Sequence, residues 1–134
     1  MKFQFKRLTL CVVVSISALA SGAATAASSP VGFDGAYAGA SQLVAGSDAS
    51  CQAGGPVSVT VTNGRFHFVW RPAHDALVRI AADGSYSAML RGSFVTADKT
   101  MQVLPRIDGR ADSRTLAGEY GTRWCKYTYR LDRS

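Results

Sequence analysis

Histidine, glutamate and cysteine are scarce in this sequence, and their scarcity excludes several classes of enzyme. The 134 residues include two histidines, one glutamate and three cysteines. His67 and His74 form neither an H-x-x-x-H nor an H-E-x-x-H pattern, so we expect no metal-binding residues. The G-x-S-x-G and S-x-x-K motifs are absent, and no Cys–His arrangement is visible. Nucleophilic hydrolysis therefore has no visible machinery, and we expect no catalytic residues and no cofactor.

Two observations keep an enzyme open as an alternative. His74 and Asp75 are adjacent and could form a catalytic pair, although such a dipeptide more often bonds the backbone of a turn. Glu119 could supply one of the two carboxylates that a glycosidase needs, but the sequence offers no partner for it. The enzyme alternative is therefore a site around His67 and His74.

The sequence also lacks an apolar run of the roughly 20 residues that a membrane-spanning helix requires. Residues 1–26 carry three basic residues, then an apolar stretch over residues 8–20, then an A-x-A sequence at 24–26. This order predicts a signal peptide cleaved near Ala26/Ala27 and a secreted or periplasmic protein with no transmembrane segment in the mature chain. An uncleaved membrane anchor is the alternative. Residues 27–32 are predicted to form a flexible linker and residues 33–134 a single domain.

Cleavage at that point leaves two cysteines, Cys51 and Cys125. An even pair in an exported protein predicts a disulfide bond. A redox-active or metal-binding pair is the alternative, but the chain contains no C-x-x-C motif and no set of histidines near the cysteines.

The positive charge of the sequence overstates the case for a nucleic-acid partner. The precursor has a net charge of +6, but three of its basic residues lie in the signal peptide, so the mature chain carries +3. The remaining positive charge concentrates in an arginine-rich C-terminal third that also contains aromatic side chains. Proteins use this arrangement to bind anionic partners. An anionic envelope surface or an acidic protein is a better fit outside the cytoplasm than nucleic acid. The first candidate for a binding surface is the face with Trp124, Lys126 and Arg130. Arginine stems covering an aromatic core are the alternative.

The clearest structural signal is the segment Pro56–Arg71. Valines alternate with polar residues up to Asn63-Gly64, the strongest short signal for a two-residue type I′ turn. This turn places Thr62 opposite Arg65. It also predicts three cross-strand pairs on the core face: Val61–Phe66, Val59–Phe68 and Val57–Trp70.

The remaining patterns predict further short strands. A three-residue loop, Ala82-Asp83-Gly84, places five apolar residues on one face of a second hairpin, namely Val78, Ile80, Tyr86, Ala88 and Leu90. In the last strand, Cys125, Tyr127, Tyr129 and Leu131 share the opposite face from Trp124, Lys126, Thr128 and Arg130. We therefore predict an all-β antiparallel meander of about eight strands with one disulfide. An up-and-down barrel is favoured over a two-sheet sandwich.

Several strings of the chain resemble a group of small uncharacterised secreted proteins of proteobacteria. They are Phe33–Gly39 (FDGAYAG), Cys51, Asn63–Phe66 (NGRF), Asp83–Tyr86 (DGSY) and Cys125. The resemblance implies an exported β-domain and supplies no activity or binding residues. Size, export and a single disulfide also resemble periplasmic inhibitors of proteases or lysozyme. We expect an exported, non-enzymatic protein that binds a ligand, a protein or an envelope surface, and a periplasmic enzyme inhibitor is a further alternative.

Overall fold

The computed structural model describes residues 31–134, and the predicted signal peptide and residues 27–30 of the predicted linker lie outside the described residues. Within this range the chain is all-β and contains no α-helix. A short 3₁₀ turn, Val31–Phe33, precedes ten strands. The strands are β1 Gly35–Gly46, β2 Pro56–Val61, β3 Arg65–Arg71, β4 His74–Arg79, β5 Ser85–Met89, β6 Phe94–Val95, β7 Gln102–Val103, β8 Arg106–Ala111, β9 Thr115–Gly121 and β10 Cys125–Arg133.

Six strands form a curled, half-barrel-like antiparallel sheet in the order β2-β1-β10-β9-β8-β5. Strands β3 and β4 form a separate two-stranded ladder, and so do the short strands β6 and β7. The first and last long strands are neighbours, since β1 pairs with β10 from Tyr37↔Arg133 to Gly46↔Cys125. This pairing brings the two ends of the described chain into one sheet.

The turn of the first hairpin has the predicted geometry. Asn63 and Gly64 adopt φ values of 51° and 67°, as a type I′ turn requires. Thr62 and Arg65 exchange backbone hydrogen bonds of 2.8 and 3.1 Å. The Asp34 carboxylate accepts hydrogen bonds from the N–H groups of Asn63 (2.8 Å) and Gly64 (2.9 Å). The aspartate of the FDG string therefore fixes this turn to the start of β1.

The predicted pairing beyond that turn is wrong. After the single bridge between Thr62 and Arg65, β2 pairs with β1 and β3 pairs with β4, so the three valine–aromatic cross-strand pairs do not form. The aromatic side chains of β3 pack instead over the middle of the sheet: the Phe68 ring lies 4.9 Å from that of Tyr120. The two arms of the hairpin belong to different sheets. We call the boundary between them, where β2 and β3 share no ladder, the β2–β3 seam.

The predicted core face of this hairpin is nevertheless correct. Val59, Val61, Phe66 and Phe68 are buried, and Val57 and Trp70 pack partly buried against them. Alternation along each strand determines which side chains point inward, whether or not the two strands hydrogen-bond to each other.

The second hairpin follows the predicted three-residue loop. The Ala81 N–H donates to the Ser85 carbonyl (2.8 Å), and Gly84 has a φ of 88°. A second hydrogen bond, from the Arg91 N–H to the Asp75 carbonyl (2.7 Å), keeps the same register at the far end of β4 and β5. Of the five predicted core residues, Ala88 is partly buried and the other four are buried, namely Val78, Ile80, Tyr86 and Leu90.

Aromatic side chains fill the interior between the curled sheet and the β3–β4 ladder. Phe68 contacts Tyr120 and Tyr129, and Phe66 meets Tyr86 edge-on with 5.3 Å between the ring centroids. The Tyr86 and Tyr129 hydroxyls hydrogen-bond to each other in the core. Burial raises the pKa of Tyr86 to about 12, so the hydroxyl is neutral over the whole physiological range.

The disulfide between Cys51 and Cys125 is confirmed, with Cα atoms 5.3 Å apart and a sequence separation of 74. It joins the loop before β2 to the first residue of β10, where Cys125 is fully buried. In the last strand the predicted inward residues Cys125, Tyr127, Tyr129 and Leu131 are all buried.

Candidate binding surface

Trp124 is not a free stacking platform. Its ring stacks on Phe94 at 6.3 Å, and Phe94 in turn stacks on Trp70 at 5.7 Å. The Arg123 guanidinium lies over the Trp124 ring, 4.4 Å from its centroid. This aromatic stack covers one end of the core, so much of Trp124 serves packing and only part of its surface can meet a partner.

The two cations of the predicted surface point outward from β10 but lie apart. Lys126 Nζ is 2.8 Å from Glu119 Oε2, and Arg130 Nε is 3.6 Å from Asp132 Oδ1. Four residues along a strand separate them by about 13 Å. Lys126 is therefore two positions from Trp124 along the chain, and Arg130 lies further along the strand.

Lys126 lines an open cleft of about 410 Å³ on the outer face of β8, β9 and β10, which we call the Lys126 cleft. Its lining combines apolar surface with three cations and two carboxylates. The lining residues are Val103, Leu104, Arg106, Asp108, Glu119, Tyr120, Gly121, Thr122, Arg123 and Lys126. Arg130 is not among them. Leu104 is 49% exposed, so the cleft offers an uncovered apolar side chain beside its charges.

The charges of the cleft leave one cation uncompensated. Asp108 and Glu119 face each other across the β8–β9 ladder. Asp108 is paired with Arg106 (3.3 Å) and Glu119 with Lys126 (2.8 Å). Among the ion pairs of residues 31–134 none involves Arg123. Because exposed ion pairs are weak, an incoming anion can compete for Arg106 and Lys126 as well as bind Arg123.

The carboxylate pair in the cleft does not resemble a glycosidase site. The structure gives Glu119 the partner that the sequence did not, namely Asp108 on the neighbouring strand. Their side chains are 50% and 54% exposed and each is held in an ion pair, whereas the carboxyl group of a general acid is desolvated.

No protein family model, curated protein or solved structure matches this chain. The resemblance to secreted proteobacterial proteins stays a prediction. In the part of the chain that the structure describes, no group of three or more His, Cys, Asp or Glu side chains is placed to hold a metal ion. Over the same residues, no helix has the length and apolar character to cross a membrane.

The two histidines do not form one site. His74 and Asp75 do not lie in a turn, as the dipeptide suggested, because β4 already begins at His74. Successive residues of a strand point to opposite faces, so His74 is buried against Trp70 while Asp75 faces His67. His74 Nδ1 lies 3.0 Å from the Gly92 carbonyl oxygen, a backbone contact rather than a catalytic pair.

Asp75 is instead the centre of a charged cluster on the outer side of β3, β4 and β5. His67 Nε2 lies 2.6 Å from Asp75 Oδ2, and the Arg91 guanidinium donates two hydrogen bonds to the same carboxylate, at 3.0 and 2.7 Å. These bonds, first from Arg91 and then from His67, lower the pKa of Asp75 to about 2. Among the hydrogen bonds of the described residues, His67 has no hydroxyl or thiol partner. Ser58 and Thr60 nevertheless line the same cleft of about 350 Å³ as His67.

Replacing Arg91 with alanine should raise the pKa of Asp75 from about 2 towards the ordinary carboxyl value. The substitution removes the hydrogen-bond donor that contributes most to the lowering of this pKa. The pKa is depressed in the folded state, so the stabilisation by this cluster is complete above about pH 4 and is lost as the pH falls towards 2. NMR titration of the Asp75 carboxyl carbon measures the shift directly. Arg79→Ala, on the same face but not bonded to Asp75, is the control. An unchanged titration in Arg91→Ala would show that Arg91 does not set this pKa.

The sequence indicated the arginines of the cleft only as part of a basic region. It did not indicate Leu104 or the opposition of Asp108 and Glu119, since both depend on the register of β8 against β9. The alternation of Arg106 and Asp108 along β8 was the one local signal that both side chains share a face.

Proposed function

We propose that the protein is an exported, non-enzymatic β-domain that binds a partner on its outer surface, at the Lys126 cleft. The single observation that carries the proposal is the cleft itself, which is lined both by the exposed Leu104 and by Arg123, a cation with no ion pair among residues 31–134. A concave site with apolar lining and a few polar groups is the usual form of a ligand pocket. The chemistry fits an anionic group attached to an apolar body.

An outer site is also favoured by the interior of the molecule. Phe68, Tyr120 and Tyr129 pack against one another where a ligand-binding barrel would hold its ligand. We propose further that the strands form an up-and-down barrel rather than a sandwich. Backbone hydrogen bonds at both ends of β4 and β5 and the Thr62–Arg65 bridge between β2 and β3 support this closure.

Export is supported by two independent features. The N-terminal residues have the charge and hydropathy pattern of a signal peptide. The Cys51–Cys125 disulfide is typical of proteins that fold in an oxidising compartment.

The enzyme alternative has one observation in its favour, the 2.6 Å contact between His67 and Asp75. A histidine oriented by a carboxylate is two thirds of a hydrolytic triad, but Arg91 holds the same carboxylate, and the part of the chain described offers His67 no bonded nucleophile. Inhibition of proteases or lysozyme remains an alternative that follows from the resemblance alone.

The cleft is tested by titrating ¹⁵N-labelled protein with hexyl phosphate, a short amphiphile used below its micelle concentration. We expect chemical-shift changes concentrated at Gly121, Thr122 and their neighbours in the cleft. Lys126→Ala should weaken binding by about three- to tenfold, because one charge-assisted contact to the phosphate is lost. Both the shifts and the apparent dissociation constant come from the same spectra.

Arg130→Ala is the matched control, since Arg130 is a cation of the same strand that does not line the cleft. It should leave the affinity unchanged. If Arg130→Ala weakened binding as much as Lys126→Ala, or if the shifts were scattered over the whole surface, the cleft would not be the binding site.

A further inference from the structure

Three large apolar side chains are exposed next to one another on the outer face of β3, β4 and β5. Val69 is 51% exposed, Leu77 66% and Met89 48%. The β3–β4 register places Leu77 opposite His67 and one step diagonally from Val69. The hydrogen bonds that fix β4 against β5 place Met89 on the other side of Leu77. We call Val69, Leu77 and Met89 the apolar outer patch.

The patch is bordered by arginines that lack acidic partners. Arg65 and Arg79 face each other directly across the β3–β4 ladder, and both are exposed. Like charges in directly opposed positions destabilise a sheet. Asp75 is the carboxylate nearest to them on this ladder, but it is occupied by Arg91 and His67. Among the ion pairs of residues 31–134, none includes Arg65 or Arg79.

An apolar patch and an opposed, uncompensated arginine pair on one face both indicate an amphipathic anionic partner. Exposed aliphatic clusters mark binding surfaces, and an anion between Arg65 and Arg79 would relieve their repulsion. The apolar residues are Val, Leu and Met on the outer side of a curled sheet. Protein interfaces draw their binding energy mainly from Trp, Tyr and Arg in pockets, with Leu and Val under-represented. Aliphatic side chains that project beside arginines fit the boundary between headgroups and acyl chains better.

We propose that this face docks on an anionic phospholipid surface, with Val69, Leu77 and Met89 entering the acyl boundary and Arg65 and Arg79 binding lipid phosphates. The proposal does not rest on the Lys126 cleft. The two surfaces adjoin, because Met89 pairs with Arg106, which lines the cleft. A protein docked on a membrane through this face would hold the cleft beside the lipid surface.

The test is sedimentation of the protein with large vesicles of phosphatidylcholine, with and without one quarter phosphatidylglycerol, at about 0.1 M salt. We expect binding to the vesicles that contain phosphatidylglycerol, at least tenfold weaker binding to pure phosphatidylcholine, and loss of binding as salt rises. Leu77→Asp and Arg79→Glu should each reduce binding at least tenfold. Both positions are exposed, and circular dichroism checks that the variants fold.

Two matched variants test whether binding depends on this face or only on the overall charge and hydropathy of the protein. Val44→Asp changes a valine that is 53% exposed on β1, and Arg114→Glu changes an arginine in the turn between β8 and β9. Both should bind vesicles nearly as the unaltered protein does. Lys126→Ala should also leave vesicle binding unchanged, so the proposal for the cleft and the proposal for the lipid surface can be disproved independently.

Three results would overturn the proposal. The protein could bind both vesicle types equally, or it could bind no vesicles at all. The third result is that Leu77→Asp and Arg79→Glu leave vesicle binding intact. If an acidic protein of the same compartment bound this face while vesicles did not, the partner would be a protein and the lipid proposal would be wrong.

Discussion

Replacing Cys51 and Cys125 together with alanine should lower the free energy of unfolding by about 4–5 kcal/mol. The bond spans 74 positions, and closing a loop of that length removes a large share of the chain entropy of the unfolded state. For a domain of about 100 residues this corresponds to a melting temperature at least about 15 °C lower. Thermal unfolding followed by circular dichroism or calorimetry measures the effect.

The single variants and chemical reduction supply the controls for this result. Cys51→Ala should lose nearly as much stability as the double variant, because either substitution breaks the bond. Cys125 is fully buried, so its replacement adds a small packing loss of its own. The unaltered protein in excess reductant should melt near the double variant. A double variant that melts within a few degrees of the oxidised protein would contradict the predicted contribution of the disulfide.

Replacing Phe68 with alanine should cost about 3–5 kcal/mol, the usual range for deletion of a buried aromatic ring. Phe68 is 2% exposed, and its ring lies 4.9 Å from Tyr120 and 6.3 Å from Tyr129. Urea unfolding gives the difference in free energy. Val69 is the next residue but points outward, so Val69→Ala should change stability by less than about 0.5 kcal/mol. Equal losses in the two variants would mean that Phe68 does not lie at the centre of the core.

The same variant tests whether the interior of the molecule is closed to ligands. Removing the Phe68 ring opens an apolar cavity, and such cavities bind benzene. Benzene should raise the melting temperature of Phe68→Ala and leave that of the unaltered protein unchanged. Stabilisation of the unaltered protein by benzene would indicate an internal site and would weaken the proposal that binding occurs on the outer surface.

The local parts of the fold could be predicted because neighbouring residues determine them. The φ values of Asn63 and Gly64 and the three-residue loop before Ser85 follow from the turn residues themselves. The buried faces of β3 and β10 follow from alternation along each strand. These features need no knowledge of which strands become neighbours.

Apart from the Cys51–Cys125 disulfide, the features that depend on distant parts of the chain could not be predicted. Strand β2 pairs with β1 and forms no ladder with β3, which the alternation within the two strands does not indicate. Trp124 is stacked on Phe94, which belongs to a strand of two residues distant in sequence, so the pattern around Trp124 does not indicate this contact. The contact between His67 and Asp75 joins two neighbouring strands, so the adjacency of His74 and Asp75 in sequence does not indicate it. Alternation along a strand would have separated His74 from Asp75.

The β2–β3 seam has a consequence for how the molecule opens. Along the seam, and within the described chain, the two strands share only the Thr62–Arg65 bridge, so side-chain packing alone holds the facing edges together. Local opening begins where backbone bonds are fewest, so we expect amide protons on these edges to exchange with solvent well before those of the β1–β10 ladder. Cys51 precedes β2 and is bonded to β10, so the disulfide limits how far β2 can swing outward. Reduction would therefore speed exchange at the seam first and lengthen the time for which two unpaired strand edges are exposed to other chains.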